Sequence, residues 1–406
     1  MLNAYTTTLV MLSITAITVI LAVASVYHEY NKAKKAKNGQ PRAVHPYKRL
    51  STTAILIASK DGEKTIATTV KAALANRCPV YVVSDGSKDK TIIEALDAGA
   101  QVMWLRKNVG KPAALHRAYK HFRLGQKYDA VAILDDDVVI EKDFMRQAKK
   151  TMTRGCAIAV GKNLTQWPEH KRWNIWLASR AYNYWAYQIT LRTIQSTFNV
   201  MTCISGSNSL YRVEVLNRVL GGYTPYIVDD TYWTLETHRL ELGKIKYSPK
   251  ARAWLQDPTN FRDWYKQNLR WMWGTFQGII GHKVGMKANK FHLSYLALML
   301  EWFIYIFSGP LSLLIIMQAG LKNIPLELLL LFSGYFVWVA IAAMALRLPR
   351  LLLFVPAVVM IDFIFRWVMV HGLIKALRQR TVDSCVWESP KRFDVRTATR
   401  AQAVNR

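Results

Sequence analysis

The stretch AVAILDDDVVI, residues 130–140, joins an unbroken apolar run to three consecutive aspartates. A short apolar run without polar alternation is typical of a strand that is buried on both faces of a parallel sheet. Acids that directly follow such a strand lie at its carboxyl end, where open α/β sheets bind their ligands. The stretch therefore predicts a fourth buried strand and, beside it, a ligand site.

Three further apolar runs come before this stretch and alternate with helical patterns. The runs are TAILIAS at 53–59, VYVVSDGS at 80–87 and QVMWL at 101–105. The helical segments are TIATTVKAALAN, KTIIEALDAG and KPAALHRAYKHFRL. Alternation of strands and helices predicts a parallel, doubly wound sheet. We therefore expect a Rossmann-like α/β domain over residues 50–285, with a mixed but mostly parallel sheet.

The three aspartates suit a divalent cation. In a strand, residues i and i+2 point the same way, so Asp135 and Asp137 should face one ligand while Asp136 points elsewhere. Hard carboxylate oxygens favour Mg²⁺ or Mn²⁺, held together with a diphosphate. A solvated acidic turn is the alternative, and the apolar run that leads directly into the acids argues against it.

Two residues at other strand and helix ends suit a nucleotide. Asp85 follows the second strand in VVSDGSKDK, and Lys111 opens the third helix in NVGKPAAL. An aspartate at a strand end can hydrogen-bond a base or ribose, and a lysine at a helix N-terminus is a natural phosphate contact. Each signal is weak alone, because such turns and helix starts are common.

A pair of acids, Asp229 and Asp230, follows an apolar approach in PYIVDDTYW. Neighbouring carboxylates raise each other's pKa, so one of them can serve as a general base. The pair also fits the first turn of a helix over DDTYWTLE, where acids are favourable without any catalytic role. The residues themselves leave both interpretations open.

Taken in order, these segments resemble the membrane-embedded glycosyltransferases of family 2, which include the hyaluronan, chitin-oligosaccharide, poly-N-acetylglucosamine and cellulose synthases. The resemblance covers about residues 50–285 and implies a GT-A type fold that binds a nucleotide sugar. The matched segments are VVSDGSKD for DDGSxD, NVGKPAAL for N-x-GK-x-x-AL, LDDDV for DxD, IVDD for TED and QNLRW at 267–271 for QxxRW. SGSNSLYR at 205–212 is similar to the SGP-type segment of hyaluronan synthases, without its proline.

The resemblance implies a role for each matched residue. Asp230 would be the catalytic base beside Asp229, although Val228 and Asp229 replace the Thr and Glu of TED. Gln267, Arg270 and Trp271 would contact the acceptor and the diphosphate.

On the donor side, the resemblance implies Asp135 and Asp137 as metal ligands for Mg²⁺ or Mn²⁺. The residues assigned to the nucleotide sugar are Asp61, Glu63, Asp85, Lys111, Asp135 and Asp136. Asp61 and Glu63 stand in Lys60-Asp61-Gly62-Glu63, where many members have a Tyr-Asn-Glu-Glu that packs on the base. Aromatic stacking on the base is therefore not expected here.

The implied reaction is inverting, metal-dependent transfer of a sugar, most simply from a UDP-sugar, onto a growing β-linked polysaccharide that the membrane segments secrete. The alternative is transfer of one sugar to a membrane lipid, since QxxRW occurs in some lipid-directed members. Product length distinguishes the two.

The apolar segments predict a multi-pass protein of the plasma or inner membrane. An N-terminal helix is expected within residues 1–30, followed by NKAKKAKNGQPR, which places the next domain in the cytoplasm by the positive-inside rule. Three more apolar stretches fall within 290–376, and a basic tail over 377–406 follows. Three spans would put that tail outside, against the rule, so the number of spans stays open. In the last stretch Asp362 and Arg366 are one turn apart and should pair.

The net charge is +28, from 55 Lys and Arg against 27 Asp and Glu in 406 residues. Such a charge favours anionic partners. Much of it adjoins the apolar segments, where lipid headgroups explain it, and no nucleic-acid motif is present. We therefore expect membrane lipids, a nucleotide sugar and a glycan or lipid acceptor as partners, without nucleic acid. An oligomer or an export partner is left open. The four cysteines lack CxxC spacing, which predicts neither a zinc site nor a disulfide framework.

Overall fold

The computed structural model describes residues 50–153, 155–221, 223–318, 324–383 and 392–393. The predicted N-terminal membrane helix, within 1–30, lies outside the described residues, as does most of the basic tail over 377–406. The basic segment after that helix also lies outside the described residues. The cytoplasmic side that it assigns to the domain is therefore still a prediction.

In the described part of the chain, eight strands form one mixed sheet in the order β3-β2-β1-β4-β7-β6-β8-β5. The strands are β1 Thr53–Ser59, β2 Val80–Asp85, β3 Gln101–Leu105, β4 Ala130–Asp135, β5 Val139–Ile140, β6 Cys156–Thr165, β7 Asn208–Arg212 and β8 Lys244–Leu255. The first four strands are parallel, and β6 is parallel to β8. Strand β7 is antiparallel to both its neighbours, and β5 is antiparallel to β8. The prediction of a mixed, mostly parallel α/β sheet is confirmed.

The stretch 130–140 forms two strands, which corrects the prediction of one. Strand β4 ends at Asp135, and a turn follows in which the Val138 N–H donates to the Asp135 carbonyl at 3.4 Å. Val139–Ile140 then pairs with β8 at the far end of the sheet. Three adjacent carboxylates repel one another in a straight strand, and a turn lets them diverge. Strand alternation therefore does not govern where Asp137 points.

Helices cover both faces of the sheet. They are α1 Ile66–Leu74, α2 Thr91–Asp97, α3 Lys111–His121, α4 Leu124–Lys127, α5 Phe144–Thr151, α6 Ile175–Tyr187, α7 Thr193–Phe198, α8 Val213–Val219 and α9 Asp229–Arg239. Successive residues of β1 enter different cores: Ile55 and Ile57 one, Ala54 and Leu56 the other. This is the period of two expected of a strand covered on both sides.

Three described helices are long and apolar enough to cross a membrane. The helices are α11 Lys290–Gln318, α12 Ile324–Leu346 and α13 Val355–Arg378. The candidate spans are Lys290–Leu311, Ile324–Leu346 and Pro349–Arg378. A further helix, α10 Phe261–Gly281, packs along α13, where a Cβ on Gly372 would lie 2.7 Å from the Cβ of Met272. Glycine at that position allows close approach, and it brings QNLRW beside the apolar helices.

The predicted pair inside the last apolar stretch is confirmed. Arg366 Nη1 lies 2.7 Å from Asp362 Oδ2, and the Asp362 carboxylate also accepts from the hydroxyls of Tyr305 at 2.7 Å and Tyr335 at 2.6 Å. The Arg366 side chain packs against Gly309, whose Cβ would lie 2.6 Å from its Cδ. Charges among apolar helices are costly unless paired in this way.

Candidate active site

A single cavity of about 1850 Å³ extends from the carboxyl ends of β1 and β4 to helices α11 and α13. Every site residue predicted above lines it: Asp61, Glu63, Asp85, Lys111, Asp135, Asp136, Asp137, Asp229, Asp230, Gln267, Arg270 and Trp271. Trp302 and Asp362 line its other end. Residues far apart in the sequence therefore share one cavity, although the chemical role of each is still a prediction.

Asp85 organises the loop that leads to Lys111. Its two carboxylate oxygens accept from the backbone N–H groups of Val109 at 2.8 Å and Gly110 at 2.9 Å. Burial raises the pKa of Asp85, and the two N–H donors partly oppose that shift. Gly110 has φ +87°, which favours glycine at this turn. Contact between Asp85 and a nucleotide stays a prediction.

Asp61 and Glu63 tie the loop after β1 to the loop after β2. The Asp61 carboxylate accepts from the Lys88 N–H at 2.9 Å and pairs with Lys60 at 2.6 Å. The Glu63 carboxylate accepts from the Lys90 N–H at 3.2 Å, just before α2. Both acids shape the rim of the cavity, and their contact with a nucleotide sugar is likewise a prediction.

The three aspartates after β4 meet two cations. Lys111 Nζ lies 2.6 Å from Asp135 Oδ1. Arg392 Nη2 lies 2.6 Å from Asp136 Oδ1, and its Nε lies 3.3 Å from Asp137 Oδ2. Asp136 is 2% exposed, so it faces protein groups far more than the open cavity.

The pKa of Asp137 lies above that of an ordinary aspartate. Burial raises it to about 7, Arg392 opposes the shift, and Asp136 and Asp135 add to it. Sequence reasoning missed Arg392, because nothing in the spacing of its neighbours indicates a contact with Asp136, which lies 256 residues earlier.

The carboxylates after β4 fit a divalent cation only together with a substrate. Among the described residues, no group of three or more His, Cys, Asp and Glu side chains could hold a metal alone. Mg²⁺ is commonly bound through one or two carboxylates plus substrate phosphates, so Asp135 and Asp137 are sufficient in type and number. Arg392 lies beside Asp137 and Lys111 beside Asp135, so each of these carboxylates already has a cation as its neighbour.

Asp229 and Asp230 occupy the first turn of α9, so the prediction that they begin a helix is correct. Their carboxylates nevertheless line the cavity, and Lys111 Nζ lies 3.9 Å from Asp229 Oδ2. Burial, followed by the charge of Asp229, raises the pKa of Asp230 to about 6, and Lys111 opposes the shift. A carboxyl group with this pKa is suited to accept a proton near neutral pH.

Lys111 connects the two acid groups. Burial lowers its pKa, but Asp135 and then Asp229 outweigh that effect and hold the pKa above its ordinary value. The ammonium also donates to the Gly206 carbonyl at 3.1 Å. The Gly206 N–H donates to Asp230 Oδ2 at 3.1 Å. Lys111 therefore stays charged and holds this part of SGSNSLYR against the acid pair.

Gln267, Arg270 and Trp271 lie half-buried on α10. Gln267 Oε1 accepts from Arg180 Nη2 at 2.7 Å, and the Arg180 guanidinium stands 4.8 Å from the centre of the Trp271 ring. Sequence reasoning missed Arg180, since it belongs to α6, 87 residues before Gln267, and no motif contains it.

The fold and the site together define a class of protein. A mixed sheet with a β1–β4 parallel half and acids at its carboxyl edge is the GT-A arrangement of nucleotide-sugar glycosyltransferases. A mannosyltransferase from Pyrobaculum calidifontis, solved in complex with GDP-Man and Mn²⁺, superimposes with a TM-score of 0.55 at 16% identity, over 89% of this chain and 98% of that one.

The chain belongs to glycosyltransferase family 2, because the family model described as "Glycosyltransferase like family 2" matches residues 51–274. It is 22% identical over 236 residues to hyaluronan synthase 3 of Mus musculus, covering 54% of this chain and 42% of the relative. It is 24% identical over 248 residues to a poly-beta-1,6-N-acetyl-D-glucosamine synthase of Staphylococcus epidermidis, covering 59% and 56%. The chain thus spans about half the length of the curated relatives it matches, and the resemblance to membrane-embedded synthases is confirmed.

Proposed function

We propose that this protein transfers a sugar from a nucleoside-diphosphate sugar, most simply a UDP-sugar, to an acceptor hydroxyl with inversion at the anomeric carbon. The observation that carries the proposal is the convergence of Asp230, Lys111 and the acids after β4 on one cavity that also contains Gln267 and Trp271. That cavity holds a candidate base, cations for a diphosphate and an aromatic surface for a sugar.

In the proposed reaction, Asp230 accepts the proton of the acceptor hydroxyl while its oxygen attacks the anomeric carbon. The bond from that carbon to the diphosphate breaks, and the electron pair leaves with the nucleoside diphosphate. Lys111 and Arg270 stabilise the growing negative charge, for which the planar guanidinium of arginine is well suited. Mg²⁺ or Mn²⁺, when bound at Asp135 and Asp137, supplies further positive charge beside the diphosphate.

Trp271 provides a flat apolar surface for the acceptor ring, and Gln267 provides a polar group beside it. Holding the acceptor close to the donor carbon removes much of the entropy cost of a reaction between two molecules. The nucleotide sugar would lie in the part of the cavity at the carboxyl ends of β1, β2 and β4, here called the donor half. Contacts with neighbouring groups indicate that four acids shape it: Asp61, Glu63, Asp85 and Asp136.

The proposed product is a growing β-linked polysaccharide that leaves through the apolar helices. Support comes from the continuity of the cavity, which joins Asp230 to Trp302 and Asp362 on α11 and α13. We place the protein in the plasma or inner membrane as a multi-pass protein with its catalytic domain in the cytoplasm. The three apolar helices and the similarity to membrane synthases support this placement.

Transfer to a membrane lipid is the second candidate. The same observation favours it, since a cavity that ends among apolar helices can also admit a lipid acceptor from the side. The two candidates share the donor chemistry and differ only in the acceptor and in the length of the product.

The test is to incubate the purified full chain in detergent with UDP-GlcNAc, UDP-Glc, UDP-GlcA or GDP-mannose and Mg²⁺ or Mn²⁺. We expect release of the nucleoside diphosphate from at least one donor, with a ladder or high-mass product on a sizing gel. A single lipid-soluble product would support the second candidate. If no donor is turned over, the proposed function is wrong.

A further inference from the structure

Arg180 is a buried cation in the active-site cavity to which the proposed reaction gives no role. It lies in α6, is 5% exposed, and lines the cavity between the sheet and α10. Arginine is rarely buried to this extent unless a specific contact compensates for the loss of its hydration. Its contacts therefore indicate what the residue does.

The first contact compensates its charge. Arg180 Nε lies 3.3 Å from Asp257 Oδ1, and the two side chains are 6% and 1% exposed. Tyr184 adds a hydrogen bond from its hydroxyl to the same Asp257 oxygen at 3.0 Å. The guanidinium is thus held between a fixed carboxylate on one side and α10 on the other.

The guanidinium also lies 5.5 Å from the centre of the Tyr184 ring, and its other contacts are to the QNLRW segment. Arg180 Nη2 donates to Gln267 Oε1 at 2.7 Å, and Nη1 lies 3.5 Å from Asn268 Oδ1. The guanidinium also lies over Trp271, 4.8 Å from the ring centre. A cation at this distance is attracted to an indole face, and it covers that face against other groups.

We infer that Arg180, held by Asp257, is a positioning residue for the acceptor: it sets the orientation of Gln267 and leaves one face of Trp271 for the acceptor sugar. This inference rests on the proposed function. Its physical basis is that a flat guanidinium makes a hydrogen bond, an ion pair and a ring contact at fixed relative angles, which no other side chain can do. Among the described residues, no ion pair or hydrogen bond joins Arg180 to the acids after β4 or to the pair on α9, so it acts through α10.

The readout is the coupling ratio, defined as sugar incorporated into product per nucleoside diphosphate released. The full chain in detergent is assayed with whichever of the four donors wild type turns over. A misplaced acceptor lets water take the donor sugar, so Arg180→Met should lower the coupling ratio about tenfold while the KM for the donor is unchanged. Arg180→Lys keeps the charge but not the planar contacts, so its coupling ratio should lie between those of Arg180→Met and wild type.

Two further variants separate positioning from stability. Arg180→Met leaves Asp257 buried without its cation, which alone destabilises the fold. Arg180→Met combined with Asp257→Asn removes both charges and should recover the melting temperature, while the coupling ratio stays low. Tyr184→Phe is the matched control, since it removes another hydrogen bond to Asp257 but leaves Arg180 in place, and its ratio should equal that of wild type.

The inference is overturned if Arg180→Met keeps the wild-type ratio, if the double variant restores it, or if Tyr184→Phe lowers it equally. A rise in the KM for the donor in Arg180→Met as large as the fall in the coupling ratio would also contradict it. Failure of wild type to release any nucleoside diphosphate is a different result: it refutes the proposed function, and the role of Arg180, which rests on that function, falls with it.

Discussion

Two groups of acids share the cavity, and they differ in their surroundings. The acids after β4 have two cations within 3.3 Å, namely Lys111 on Asp135 and Arg392 on Asp136 and Asp137. For the pair that opens α9, Lys111 lies farther away, with its Nζ 3.9 Å from Asp229 Oδ2. The first group is therefore suited to bind positive charge, and the second is suited to take up a proton. Burial raises the pKa of a carboxyl group in both sets, that of Asp137 to about 7 and that of Asp230 to about 6, so the pKa alone does not separate them. The cations in direct contact with the first set do.

The largest effect should come from the pair on α9. Replacing Asp230 by asparagine keeps its size but removes the proton acceptor, so transfer should fall at least about a thousandfold. Donor binding, measured by calorimetry with the nucleoside diphosphate, should be unchanged. Substantial residual transfer would remove Asp230 as the base and would weaken the distinction between the two groups.

The next effect should come from the acids after β4. Asp135→Asn and Asp137→Asn should each weaken binding of the metal. Transfer at subsaturating Mg²⁺ should then fall roughly a hundredfold. A readout independent of activity is the rise in melting temperature on adding Mn²⁺ with the nucleoside diphosphate, which both variants should lose. Full wild-type activity in excess chelator would contradict the metal assignment.

The pH dependence should report the α9 pair. Because burial and Asp229 raise the pKa of Asp230 to about 6, the base is deprotonated above that pH and protonated below it. The rate should therefore be constant above this pKa and decrease about tenfold per pH unit below it. Lys111 lowers the pKa of Asp230, so in Lys111→Met the same limb should move to higher pH. An unmoved limb would indicate that another group controls it.

The smallest effect should come from Arg392. Its guanidinium contacts Asp136 and Asp137, so it would repel a metal ion bound at Asp137. Arg392→Gln should lower the Mg²⁺ concentration for half-maximal activity by about fivefold. An increase in the KM for the donor instead would place Arg392 among the groups that hold the diphosphate. Lys171→Gln, which removes a half-buried cation near Phe393, is the control for loss of charge in this region.

Much of the fold could be predicted, since its signals are local. Strands β1, β2 and β3 and the helices between them follow from apolar periodicity, Gly turns and a Pro in the first turn of α3. Strands β6, β7 and β8 were not predicted, and in the stretch 130–140 periodicity indicated one strand where charge repulsion among the acids favours a turn. Local patterns do not show where a short strand such as β5 finds its partner.

The order of motifs along the sequence determined the family and indicated which residues line the cavity. It also indicated the acids that open α9, because each motif contains its own turn or helix start. Only the tertiary structure decided their partners. Arg392 on Asp136 and Arg180 on Gln267 join residues 256 and 87 positions apart. Neither arginine belongs to a motif, and their contacts depend on how the helices pack against the sheet. The physical reason is that electrostatic partners are set by distance in space, which local sequence patterns do not encode.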